Sequence, residues 1–256
     1  MTLGGVRPAR QQTDVHVPYL LDNRLAPLTF SWSFIRAPLD QVVRSYVRWQ
    51  RIILHRVTSA RLDFGLEDAL AYLQPLDIGC SRILFLSTRS DWTAIFGNSA
   101  LGDRPPVAAY MSERMLCRGL DCIAIPNTAS ARRQGPGLKS GVWGCVELTL
   151  HAPQRVGTSN RERCIRVAND VRGWEFHLSG TVQPFEEPVH YSAARKAERF
   201  TTEILERYGR ALGLELFDPE FYAGPGVLTR STPWFLPGPQ SVTLKEARVR
   251  LGIEPA

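Results

Sequence analysis

The chain has 256 residues, 44% of them hydrophobic and 22% charged, which is the balance of a folded domain with its own core and not of a disordered segment. Thirty-one Lys and Arg against 25 Asp and Glu leave a net charge of +6, modest for a nucleic-acid binder when no dense basic tract is present. No apolar run reaches the roughly 20 residues that span a bilayer, and Met1–Arg10 lacks the apolar stretch of a secretory leader, so a cytoplasmic protein with no membrane partner is expected.

Residues 1–27 carry Pro8, Pro18 and Pro27 and read as an N-terminal arm. Phe30, Trp32 and Phe34 then alternate with Ser31 and Ser33, the period-two pattern of a half-buried strand. Pro38 suits the first turn of a helix, where a missing N–H costs nothing. Along that helix Val43, Tyr46, Val47, Ile53 and Leu54 are expected to face inward. Arg44, Arg48, Arg51 and His55 cluster within about 60° of arc on the other side.

A strand over about 56–64 and a short helix over 66–73 follow. Two apolar runs, from Arg82 and from Trp92, are separated by a polar turn and predict a hairpin. Asp103 before Pro105 and Pro106 predicts a helix running to about Leu116, and Leu120–Ile125 a strand. Beyond a Gly/Ser/Arg loop at 127–140, a meander of strands is expected over 142–150, 163–168, 174–178 and 181–185. The apolar spacing then predicts one long helix over 189–212, capped by Gly213. The segment 214–256 mixes prolines with Phe221, Tyr222, Trp234 and Phe235, so it is expected to pack on the body, and Thr243 with Glu246 has capping-box spacing.

This order predicts an α+β fold with a largely antiparallel sheet and helices packed on one side. The expected division is an arm (1–27), a core domain (28–213, with sub-lobes 28–126 and 141–213 open) and a Pro/aromatic-rich tail (214–256).

Chemical motifs are sparse. Gly135–Ser140 fails as a phosphate loop because Leu138 separates Gly from Lys. The five histidines show no metal-ligand spacing, so neither a metal nor another cofactor is expected. Cys145 could meet His151 or His177 across the meander as a thiol nucleophile, against the alternative of small core residues. Glu186 and Glu187 beside His190 could serve as an acid/base pair or as acids at a helix start. Asp170 and Arg172 read as turn residues. Five cysteines, with no Cys-x-x-Cys, are expected to be reduced.

Only three basic residues are lysines, leaving 31 − 3 = 28 arginines, whose planar fork suits carboxylate and phosphate. The stripe Arg44, Arg48, Arg51 and His55 is therefore the candidate binding site, for an acidic protein surface or for phosphates, against the alternative of a solvated helix face.

The block from Ser90-Asp-Trp-Thr-Ala to Cys117-Arg-Gly-Leu, with Phe185-Glu-Glu-Pro and Glu198-Arg-Phe, resembles a family of uncharacterised bacterial α+β proteins over residues 80–210. That resemblance implies no activity. The expectation is a non-catalytic protein that binds another macromolecule, with a bacterial immunity or antitoxin role as its sharpest form. The alternatives are an enzyme whose site assembles from distant residues, and a nucleic-acid-binding protein.

Overall fold

The computed structural model describes residues 18–53, 55–79, 81–105, 107–129, 141–156, 159–233 and 240–255. In chain order its elements are β1 (Ser31–Ile35), α1 (Leu39–Ile52), β2 (His55–Leu62), α2 (Leu66–Ala71), β3 (Leu76–Asp77), β4 (Arg82–Ser87), β5 (Thr93–Gly97) and α3 (Ala108–Met115). There follow β6 (Gly119–Ile125), β7 (Cys145–Val156), β8 (Ser159–Asp170), β9 (Gly173–Gly180), α4 (Thr202–Ala211), β10 (Gly226–Pro233), β11 (Ser241–Val242) and α5 (Leu244–Arg250).

Nine strands make one antiparallel sheet in the order β2-β10-β4-β5-β1-β6-β7-β8-β9, and β3 pairs with β11 separately. The mixed α+β class and the antiparallel sheet are those expected. The alternation along β1 drives its two-sided burial. Trp32 and Phe34 face one side, with Leu84, Leu86, Phe96, Leu120, Leu148 and Ile165. Ile35 faces the other, with Ile83, Phe85, Ile95 and Val227.

Helices cover both sides, not one. Phe200, Ile204, Leu205 and Tyr208 near and on α4, with Leu66 and Leu70 of α2 and Ala247 of α5, close the first face. Leu39, Val42 and Tyr46 of α1, with Ala108 and Met111 of α3, close the second. The reason lies in β4 and β5, where consecutive residues are apolar, so that each face needs cover. Trp32, Phe34, Leu148, Phe200 and Ile204 share the first core, and Val146 and Phe176 pack half-buried against it. Phe30 lies apart, with Ala26 and Leu251.

Three further differences have physical causes. β10, from the segment read as a tail, inserts between β2 and β4 in full register with both. Residues 181–185 form no strand. At the end of β9, Gly180 turns at φ +85°, where a Cβ would lie 2.1 Å from the Glu162 carbonyl oxygen, and the Thr181 N–H bonds to that oxygen at 2.9 Å. The long helix expected over 189–212 is broken into 3-10 turns at Pro188–Ser192 and Lys196–Glu198, followed by α4. A straight helix would hold positions 191 and 208 about 25 Å apart, whereas the Tyr191 and Tyr208 hydroxyls meet at 3.1 Å. Gly213 caps the end of α4 at φ +80°, as expected, and Thr243 and Glu246 form their reciprocal capping box at the start of α5.

Candidate functional site

The arginine stripe lies on α1. Its core side is Leu39, Val42, Tyr46 and Gln50. Val43 and Val47, expected inward, are half-buried flanks, and Ile53 is exposed. Arg44, Arg48 and Arg51 stand exposed on the side opposite the core, as a 100° step per residue requires. α1 ends at Ile52, so His55 is not on the helix. It opens β2, half-buried, with its Nδ1 unpartnered.

α1 lies lengthwise along β2. Residues 53–54 join them at one end, and an Arg61–Asp40 ion pair of 3.0 Å ties them at the other. Between them runs a groove of about 610 Å³ lined by Val43, Arg44, Val47, Arg48, Arg51, Ile52 and Ser59. It adjoins a recess of about 260 Å³ that shares Val43, Arg44 and Ser59 and reaches Asp40 and Arg61. The groove thus has apolar flanks, three guanidiniums and no carboxylate in its lining.

Elsewhere in the described chain thirteen arginines are ion-paired. Arg44, Arg48 and Arg51 have no ion pair among the described residues. Asp40, the acid on their own helix, is engaged by Arg61.

On the other face of the same sheet edge, Arg230 of β10 sits directly across from Arg82 of β4 and from Thr58 of β2. Partial burial, and then the Arg230 charge, push the Arg82 pKa down, with Asp77 acting against them. These residues line a second groove of about 450 Å³ with Tyr72 and Gln74. The end of the sheet at β2 is therefore cationic on both faces.

The remaining sequence candidates have other roles. Cys145 does not meet either histidine: His151 is six residues along the same strand, about 20 Å away, and His177 lies beyond β8. Glu186 is fully buried against Arg163 at 2.7 Å, and Glu187 pairs with Arg207 and His190, each at 2.8 Å. Glu187 precedes the 3-10 turn at Pro188–Ser192 without a side-chain capping bond and ties it to Arg207 of α4, whereas Glu186 ties it, through Tyr191, to Arg163 of β8. Asp170 accepts the Arg172 N–H at 2.7 Å in the β8–β9 turn. Gly135–Ser140 lies outside the described residues.

One cluster was not anticipated. Ser33 Oγ donates to Asp121 Oδ1 at 2.6 Å, and His151 Nε2 meets Asp121 Oδ2 at 2.8 Å. Thr149 donates to Glu147 at 2.8 Å, and Arg104 bridges Glu147 at 2.5 Å and Asp121 at 3.5 Å. The carboxylate stands between serine and histidine, so the histidine cannot take the serine proton as a triad base does. All of these except Arg104 are buried. The signal available was the polar residue at every second place in Glu147-Leu-Thr-Leu-His151, but only strand register brings Ser33, Asp121 and Thr149 into one row.

No group of three or more metal-ligating side chains occurs among the described residues. No family model, no curated protein and no solved structure matches the chain. No helix of the described residues is long and apolar enough to cross a membrane.

Proposed function

We propose that this chain is a non-catalytic protein that works by binding an acidic partner protein in the groove between α1 and β2. One observation carries the reading: Arg44, Arg48 and Arg51 line that groove without a carboxylate partner, while their helix's own acid is bound elsewhere. A guanidinium row between apolar flanks favours a carboxylate-bearing surface both by charge and by fork geometry. An inhibitor that covers an acidic face of its target, as immunity and antitoxin proteins do, is the sharpest form of the proposal. The cytoplasm is its proposed compartment, supported by free thiols at Cys117, Cys122, Cys145 and Cys164.

Nucleic acid is the second reading. It is favoured by Tyr72, which stacks on Phe64 at 5.5 Å and lines the groove that holds Arg82 and Arg230, since aromatic faces beside guanidiniums suit single strands. The enzyme reading would need Ser33, Asp121 and His151 to meet a substrate, and their burial supports binding instead.

The test is fluorescence anisotropy with poly-L-glutamate and with oligothymidylate, on the native chain and on the R44E/R48E/R51E variant, at low and physiological salt. Poly-L-glutamate should bind, weaken with salt and lose binding in the variant. The variant's thermal midpoint should stay within about 3 °C of native, because exposed substitutions change little. Tighter binding of oligothymidylate moves the proposal to nucleic acid. An unchanged affinity, or a collapse of the midpoint, removes the arginine row as a docking site.

A further inference from the structure

We propose that the partner enters the α1–β2 groove as an extended acidic segment that adds to the sheet as a further strand along the outer edge of β2. The inference rests on the acidic-partner reading above and supplies its geometry.

β2 is the terminal strand of the sheet. All eight of its residues, His55 to Leu62, pair with β10 on one side. Among the described elements β10 is the strand paired with it, α1 packs against it, and no strand is paired on its outer side. In a strand bonded on one side, every second residue points its N–H and C=O outward, and such a row is a template for another chain.

Two of the usual devices that blunt an edge, a proline and a bulge, are missing from β2. It contains no proline, and its register with β10 runs without a bulge. At the opposite end of the sheet, the Lys196–Glu198 turn packs against β9. What stands beside β2 is the row Arg44, Arg48 and Arg51 of α1, while its own Arg61 is paired with Asp40. Charge on an edge repels strands of the same sign and admits strands of the other. A second copy would bring a second guanidinium row against the first.

The spacing also fits a strand. Arg44, Arg48 and Arg51 are separated by rises of about 6 and 4.5 Å along α1. Same-face side chains of a strand recur about every 6.6 Å, close to the first of these steps and about 2 Å longer than the second, a difference that the long arginine side chains can span. Because α1 lies lengthwise along β2, a strand paired to β2 would place alternate side chains beneath successive guanidiniums. Acids at every second position satisfy that row, and the intervening side chains pass the face where Arg230 stands opposite Thr58.

The experiment uses the full chain and a synthetic peptide of alternating Glu and Thr, blocked at both ends. Two isomers carry N-methyl groups on every second amide, on the Glu set or on the Thr set. N-methylation removes backbone donors from one edge while keeping every charge. Strand addition requires at least one isomer to bind about tenfold more weakly than the parent. Affinities of both isomers within that factor overturn strand addition and leave the acidic-partner reading standing on charge alone. Failure of all three peptides to bind overturns both. Chain-concentration-dependent dimerisation that the peptide does not displace assigns the edge to a second copy and overturns the proposal.

Discussion

Tyr191 and Tyr208 join hydroxyl to hydroxyl at 3.1 Å, and Tyr191 also donates to Glu186 at 2.8 Å. Burial, then these two contacts, push the Tyr191 pKa upward, so its hydroxyl remains a donor throughout the neutral range. The Tyr208 hydroxyl accepts the Glu187 N–H at 2.7 Å. This contact holds residues 186–191 beside α4, on which Glu187 meets Arg207.

Hydrogen bonds from Arg207, then from His190, hold the Glu187 carboxyl down at about 2, against an ordinary 4.5. A carboxyl depressed on folding contributes stability that is complete above its unfolded pKa and is lost as pH falls through its folded one. The clamp should therefore loosen between about pH 4.5 and pH 2. In Arg207→Gln, NMR titration of the Glu187 side chain should show its midpoint returning toward 4.5. A midpoint that stays low in this variant would mean that Arg207 does not set it.

Arg104 stands between two buried carboxylates, Asp121 and Glu147. Burial pushes its guanidinium pKa down, but the attraction of Asp121 and Glu147 outweighs this and raises it. Removing the cation leaves Asp121 with Ser33 and His151, and Glu147 with Thr149 and the more distant Arg166 at 3.4 Å, so Arg104→Met should cost about 3 kcal/mol in urea denaturation. Adding Asp121→Asn and Glu147→Gln should restore most of that loss. A neutral Arg104→Met would show that the cluster is solvated and not a closed network.

Cys117, Cys122 and Cys145 should be slow nucleophiles. Burial pushes Cys117 up to about 11 and raises Cys122 and Cys145, with Arg166 opposing the shift at Cys145. Only thiolate reacts, so alkylation of Cys117 at pH 8 should run far more slowly in the folded chain than in urea and should speed up until about pH 11. Mass spectrometry of timed samples reads this directly. Rapid labelling of Cys117 in the folded state would contradict it. Cys80 lies outside the described residues.

Elements with a local period were legible in the sequence. β1 and the β4–β5 hairpin follow from alternation and a polar turn, and the arginine row of α1 from its 3.6-residue period. The inward face of α1 was misjudged because apolarity was taken for burial: Val43 and Val47 flank a groove, while polar Gln50 is buried. The helix over 189–212 has an apolar stripe, but the contacts of Tyr191, Glu186 and Glu187 with Tyr208, Arg163 and Arg207 override it. Such overrides act across 17 or more positions, beyond the reach of any local period.

The two features that matter most for binding are non-local for the same reason. β2 is an edge strand because β10, some 170 positions later, takes its inner side. Nothing within His55–Leu62 states on which side the partner lies. Arg82 and Arg230 become neighbours through the same insertion.

The most direct test of the central claim is a heteronuclear NMR titration of the native chain with poly-L-glutamate. Shifts and line broadening should concentrate on the amides of Val43–Ile52 and Arg56–Arg61 and on the guanidinium signals of Arg44, Arg48 and Arg51. Changes centred instead on β8 and β9, or spread evenly over the exposed arginines, would contradict a binding site between α1 and β2.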